Sequence, residues 1–253
     1  MLLENRNAVI YGGGGAIGSA VALAFAREGA RVHLAGRTQG PLDRAAERIR
    51  AAGGAVETAV VDALDEVAVD RHADAVAARF GGIDISFDLI SYGDVHGTPL
   101  AEMSLELFER PVVNAVRSMF LTARAAARHM IPRRSGVILN FGGDGGRDPI
   151  RDYFIGGFQV ALEATGTLRR QLAAELGPHG IRVVTLHTGG IPETIPASEP
   201  GREAITGMIV GRTMLGRAAN LADVGNVAAF LASDRAGSIT AASVNITCGA
   251  VAD

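Results

Sequence analysis

Short apolar runs and longer stretches with apolar positions three or four apart take turns along this chain. Runs at 7–11, 31–35, 56–61, 83–90, 137–141, 181–186 and 243–247 are rich in Val, Ile and Leu and read as strands. The stretches 16–28, 42–52, 66–80, 104–130, 158–176 and 221–232 carry helical spacing. Pro111 is expected to break or restart the stretch 104–130 near its first third, and Gly177-Pro178 ends the stretch 158–176. The strands are nearly continuous apolar runs, the pattern of strands covered on both faces. Strands alternating with helices predict an α/β fold, a doubly wound parallel sheet with helices on both sides. No linker, repeat or low-complexity segment divides residues 1–253, so one domain is expected. The Pro-, Gly- and Glu-rich stretch from 189 to about 212 reads as a lid or substrate loop.

Composition narrows the functional classes. Apolar residues make up 48% and charged residues 20% of 253 residues, an ordinary globular balance. A net charge of −3 argues against a nucleic-acid surface or an anionic membrane. No apolar run approaches the roughly 18 residues of a membrane span, and 1–7 holds no apolar leader. The single cysteine, Cys248, suits a reducing, cytoplasmic setting. The six histidines show no metal-ligand spacing, so no metal is expected. The chain contains no lysine: all 24 of its Lys and Arg residues are arginine. No mechanism in this protein can use a lysine side chain.

The first strand runs into Tyr11-Gly12-Gly13-Gly14-Gly15-Ala16-Ile17-Gly18, and a helix follows. Glycines let the backbone turn tightly and approach a pyrophosphate, while the helix N-terminus offers free amides and a positive dipole end. A flexible turn would read the same way in isolation. Between a first strand and a first helix the run points to a Rossmann-type dinucleotide site. The second strand ends Ala35-Gly36-Arg37, with no acidic residue for a ribose 2′-hydroxyl. The Arg37 guanidinium suits a 2′-phosphate, favouring NADP over NAD.

Further segments carry a family resemblance. Gly12-x-x-x-Ala16-Ile17-Gly18 is similar to a TGxxxGIG turn; Asp62-Ala63 follows the third strand; Asn114 sits in Val113-Asn114-Ala115. The segment from Ala173 through Gly177-Pro178-His179-Gly180 to Val183, then Leu215-Gly216-Arg217, Phe230-Leu231-Ala232-Ser233-Asp234 and Ile239-Thr240 complete the pattern. With these, residues 5–250 resemble the short-chain dehydrogenase/reductase family. The resemblance implies a nicotinamide dinucleotide held at Gly12, Gly14, Gly15, Ile17, Gly18, Asp62, Ala63, Ile90, Gly189 and Ile191. It also implies a small-molecule substrate, an active-site role for Asn114, and a homo-oligomer, a tetramer above all.

The chemical half of the family pattern departs. The family's tyrosine and lysine positions fall at Phe158 and Leu162, and its serine position falls in Asn140-Phe141-Gly142-Gly143-Asp144-Gly145, which has no serine. Its NNAG reads Asp88-Leu89-Ile90-Ser91, and the proline before its nicotinamide-side glycine is Thr188. A carbonyl reduced by hydride needs a proton, and phenylalanine has none to give. Tyr153, Asp144 and Tyr92 are the candidate replacements; each also reads as an ordinary loop residue. The expectation is an NADP-dependent oxidoreductase acting on a small carbonyl, hydroxyl or enoyl compound, with a rebuilt proton donor. The alternatives are a dinucleotide-binding subunit that has lost its chemistry, or a non-redox lyase or isomerase.

Overall fold

The computed structural model describes residues 1–142 and 153–252. In chain order the elements are β1 (Asn7–Tyr11), α1 (Ala16–Arg27), β2 (Arg31–Gly36), α2 (Gln39–Ala51), β3 (Val56–Val60), α3 (Glu66–Phe80) and β4 (Ile85–Asp88). There follow α4 (Leu105–Met130), β5 (Gly136–Gly142), α5 (Phe158–Leu176), β6 (Ile181–His187), α6 (Arg202–Gly211), α7 (Leu221–Ala232) and β7 (Ser243–Asn245). The strands form one parallel sheet in the order β3-β2-β1-β4-β5-β6-β7. The order reverses between β1 and β4, the switch point where doubly wound sheets open a crevice for ligands.

Side chains of each strand leave on alternate faces, and both faces are covered. Ala8 and Ile10 of β1 join Phe25 of α1, Leu42 and Ile49 of α2, and Leu231 of α7. Val9 and Tyr11 join Val69 and Val76 of α3, Leu121 and Ala125 of α4, and Leu176 of α5. The expectation of a three-layer α/β domain holds on both sides. Register aligns the strand ends: Tyr11 pairs with Ala35 and Asp88, and Asp88 pairs with Asn140. The loops that follow these residues therefore gather along one edge of the sheet.

The helices begin and end where local chemistry places them. The Asp65 carboxylate accepts the amides of Val67 and Ala68 at the start of α3, and Gly81 ends it in the left-handed region at φ 81°. Asn220 and Asp223 form a reciprocal capping box on α7.

Three sequence expectations change. Pro111 does not break α4, which runs unbroken from Leu105 to Met130 with the proline buried inside it. The proline removes one amide, and the surrounding turns continue because the helix is clamped along its length by α5 and α3. The stretch 189–212 is not irregular throughout. Gly201, left-handed at φ 75°, turns the chain into α6, whose Ile209 side chain packs where a Cβ on Gly190 would stand. β4 is shorter than 83–90, because the Ile90 amide leaves the ladder to bond Asp88 Oδ1 at 3.0 Å.

Candidate functional site

The glycine turn is built by contacts that exclude side chains. Gly12 is left-handed at φ +83°, and a Cβ there would collide with the Leu89 carbonyl oxygen at the end of β4. A Cβ on Gly18 would collide with the Gly12 carbonyl oxygen, so α1 starts directly on the turn. Gly13 faces the Leu34 side chain and Gly14 faces Pro41 at the start of α2, with ideal Cβ positions 2.8 and 2.9 Å from their neighbours. The amides of Gly12 and Gly13 both reach the Ala35 carbonyl, at 2.9 and 3.1 Å, which ties the turn to the end of β2. Gly15 caps α1 without any side chain, leaving the first-turn amides around Ile17 and Gly18 directed out of the helix. This cradle of backbone amides at a positive dipole end fits the pyrophosphate of a dinucleotide.

The other expected cofactor residues lie on the same edge of the sheet. Arg37 is exposed one residue beyond β2, two residues from the carbonyl that holds the glycine turn, and makes no ion pair among the described residues. Asp62 is exposed after β3, where Oδ1 accepts the Leu64 amide at 3.0 Å, and Ala63 beside it is buried. Ile90 follows β4, and Gly189 with buried Ile191 follows β6.

The first turn of α5 carries no acidic side chain. Phe158 and Leu162 open α5 and pack with Tyr92, Ala115, Ala161 and Val112 in an apolar cluster of their own. Tyr92, one of the three candidate donors, is committed elsewhere. Its hydroxyl donates to the Phe141 carbonyl at 3.0 Å, and burial with Asp88 nearby pushes its phenol well above the usual range. Asn114 donates from Nδ2 to the Tyr92 carbonyl at 3.0 Å, so it braces the loop after β4. Asp144 lies outside the described residues.

Tyr153 differs from Tyr92 in both exposure and partner. It is 39% exposed, and its hydroxyl lies 3.1 Å from Nδ1 of His96. Nε2 of the same imidazole lies 2.7 Å from Asp94 Oδ2. The His96 ring centroid stands 5.3 Å from that of Tyr153 and 5.8 Å from that of Phe158. The Gly97 amide donates to the Phe154 carbonyl at 2.8 Å, fastening the loop after β4 to the segment before α5.

Sequence reasoning passed over three of these residues. Asp94 and His96 were visible only as an acidic residue and a histidine two apart in a glycine-flanked loop at a strand's C-terminal end. Asp88 interrupts an apolar run, a signal in itself. Its buried carboxyl is pushed up to about 6 by loss of water, against hydrogen bonds from the Ile90 amide and Ser118 that favour the anion. Beside it, both polar side-chain atoms of Asn140 are buried without a hydrogen-bond partner among the described residues. No cluster of metal-binding side chains occurs among the described residues, and no helix there is long and apolar enough to cross a membrane.

Comparison with known proteins settles the lineage. Residues 14–250 match the profile described as Enoyl-(Acyl carrier protein) reductase, the short-chain alcohol dehydrogenase type. The chain belongs to the short-chain dehydrogenase/reductase family. It is 30% identical to the galactitol 2-dehydrogenase (L-tagatose-forming) of Cereibacter sphaeroides over 98% of this chain and 95% of that one. It is 29% identical to the gluconate 5-dehydrogenase of Gluconobacter oxydans (strain 621H), over 91% of this chain and 89% of the relative. The solved short-chain dehydrogenase/reductase from Serratia marcescens BCRC 10948 superposes with a TM-score of 0.87 at 26% identity, covering 100% of both chains. As a member of this short-chain family the protein is of the oxidoreductase type, and the family's cofactor is a nicotinamide dinucleotide. The glycine cradle of this chain fits that group.

Proposed function

We propose that the protein is an NADP-dependent oxidoreductase that interconverts a small secondary alcohol and its ketone, with Tyr153 as proton donor and acceptor. The observation that carries this reading is the Tyr153 hydroxyl, hydrogen-bonded to His96 beside Phe158, the residue we align with the family's tyrosine. When bound, the dinucleotide supplies or accepts the hydride. The amides of the glycine turn hold its pyrophosphate, and Arg37 holds its 2′-phosphate. Tyr153 gives its proton to the substrate oxygen in reduction and takes it back in oxidation. Phe158, Leu162 and Tyr92 keep water from the reacting centre. Relatives named for galactitol and gluconate favour a polyol or its ketose as substrate over an enoyl compound.

The test is turnover of NADPH with a ketose panel that includes L-tagatose, in the parent protein and in Tyr153→Phe. Loss of a general acid lowers kcat by about 10²–10⁴-fold. A rate unchanged in Tyr153→Phe refutes Tyr153 as the donor. No turnover with any ketone, with NADPH still bound, refutes the oxidoreductase reading and leaves a binding subunit. The exposed apolar residues Val113 and Phe120 of α4 and Val160 of α5 support a homo-oligomer formed through these helices. Sedimentation as a tetramer is the expected result, and a single 26.1 kDa species contradicts it.

A further inference from the structure

A free phenol is a weak acid at neutral pH, with an ordinary pKa near 10. A tyrosine that works as a proton donor needs a neighbour that favours its ionised form or restores its proton. This chain has no lysine to do so. The loop between β4 and α4 provides a different neighbour. Gly93 and Gly97, left-handed at φ 73° and 87°, bend the chain on either side of Asp94-Val95-His96. The Gly97 amide bond to Phe154 then holds that bend against the segment that carries Tyr153.

The hydrogen-bond chemistry of the trio has one consistent assignment. The His96 hydrogen bond holds the Asp94 carboxyl below the usual carboxylate range, so Asp94 is an anion at neutral pH. An anion accepts only, so His96 carries a proton on Nε2. In the neutral ring, Nδ1 is then the acceptor for the Tyr153 hydroxyl; in the charged ring, Nδ1–H donates to the phenolate.

We infer that Asp94 and His96 form a proton relay that orients Tyr153 and restores its proton on each turnover. This rests on the reading of Tyr153 as the donor. In reduction, the carbonyl carbon gains the hydride of the reduced dinucleotide and the carbonyl oxygen gains the phenolic proton of Tyr153. Neutral His96 then takes a proton from solvent on Nδ1 and passes it to the phenolate, so that both side chains return to their starting forms. Oxidation runs the same transfers backwards. Asp94 keeps its charge throughout and fixes which ring nitrogen faces Tyr153. His96 and Asp94 are positioning residues, because neither touches the substrate.

Two arms test this. The first needs no substrate: ring ¹⁵N spectra of the ligand-free protein, with His96 assigned by comparison with His96→Gln. The expected neutral form is protonated on Nε2, and Asp94→Asn weakens that preference. A neutral ring protonated on Nδ1 overturns the relay. The second arm measures NADPH-dependent ketose reduction. His96→Gly lowers kcat by about 10–100-fold, a fraction of what a general acid contributes, with KM little changed. Added imidazole restores part of that rate in His96→Gly but none in Tyr153→Phe, a response that a loop-bracing role does not give. Full activity in His96→Gly alongside an inactive Tyr153→Phe overturns the relay alone. Full activity in Tyr153→Phe overturns the donor assignment, and the relay falls with it.

Discussion

Gly12 and Leu89 approach so closely that the turn after β1 and the end of β4 leave no room for a side chain between them. The contact lies at the switch point of the sheet and sets the floor of the glycine cradle. Gly12→Ala adds a methyl group that meets the Leu89 carbonyl and forces an L residue to φ +83°. The expected cost is about 2–4 kcal/mol of stability, from left-handed strain and the clash together. Denaturant midpoints and NADPH fluorescence titration check it: both stability and binding fall. A variant with parental stability and affinity contradicts the cradle.

Placing a tyrosine at 158 and a lysine at 162, as the family resemblance would have them, is not expected to restore the family's usual chemistry. Leu162 is only 8% exposed and packs against Tyr92, Ala115 and Ala161. A lysine there places an ammonium in an apolar cluster, which costs a few kcal/mol or discharges the amine. The double variant Phe158→Tyr plus Leu162→Lys is expected to melt lower than the parent and to show no higher kcat. A gain in activity shows instead that the parent is a retired enzyme.

Asp88 makes stability fall as pH rises across the mildly acidic range. Its folded value of about 6 lies above the unfolded value of 3.8. Between these limits the folded state keeps a proton that the unfolded state has lost, so raising the pH favours unfolding. The full difference amounts to about 3 kcal/mol above pH 6, at 1.36 kcal/mol per unit. Asp88→Asn keeps an acceptor for the Ile90 amide and removes this penalty. Urea midpoints are expected to rise in the variant at pH 7.5 and to match the parent's near pH 4.

Two histidines, the buried His33 and the half-buried His72, act in the opposite sense. Loss of water pushes His33 and His72 down from 6.5 to about 4. Between those values the unfolded chain binds protons that the folded protein refuses, so stability falls as the pH drops. Nε2 of His33 has no hydrogen-bond partner among the described residues, and its ring lies 4.6 Å from Phe80. His33→Leu is expected to flatten the acid limb, with a larger gain in midpoint at pH 5 than at pH 7.5. An equal change at both values contradicts the assignment.

Most of the fold was legible because both layers write a strong period into the chain. Strand runs such as 7–11 and helices such as 66–80 appear where apolar spacing places them. α6 was missed because Gly201, Gly207 and Gly211 read as loop punctuation, whereas Ile205 and Ile209 carry a helical repeat between them. Pro111 misled because local propensity yields to packing along a long helix. At the site, the glycine turn declares itself locally. The Asp94–His96–Tyr153 trio does not, since its members meet only when two loops 57 residues apart are fastened together. Asn114, expected in the active site from the resemblance, has its side chain spent on the Tyr92 carbonyl.

Calorimetric titration of the ligand-free protein with NADPH and with NADH, repeated on Arg37→Ala, tests the central claim most directly. The account predicts heat for both nucleotides, tighter binding of NADPH, and loss of that preference in Arg37→Ala, a charge-assisted contact of about 1.5–3 kcal/mol. Equal affinity for the two nucleotides in the parent contradicts the role given to Arg37, and no heat from either contradicts the site itself.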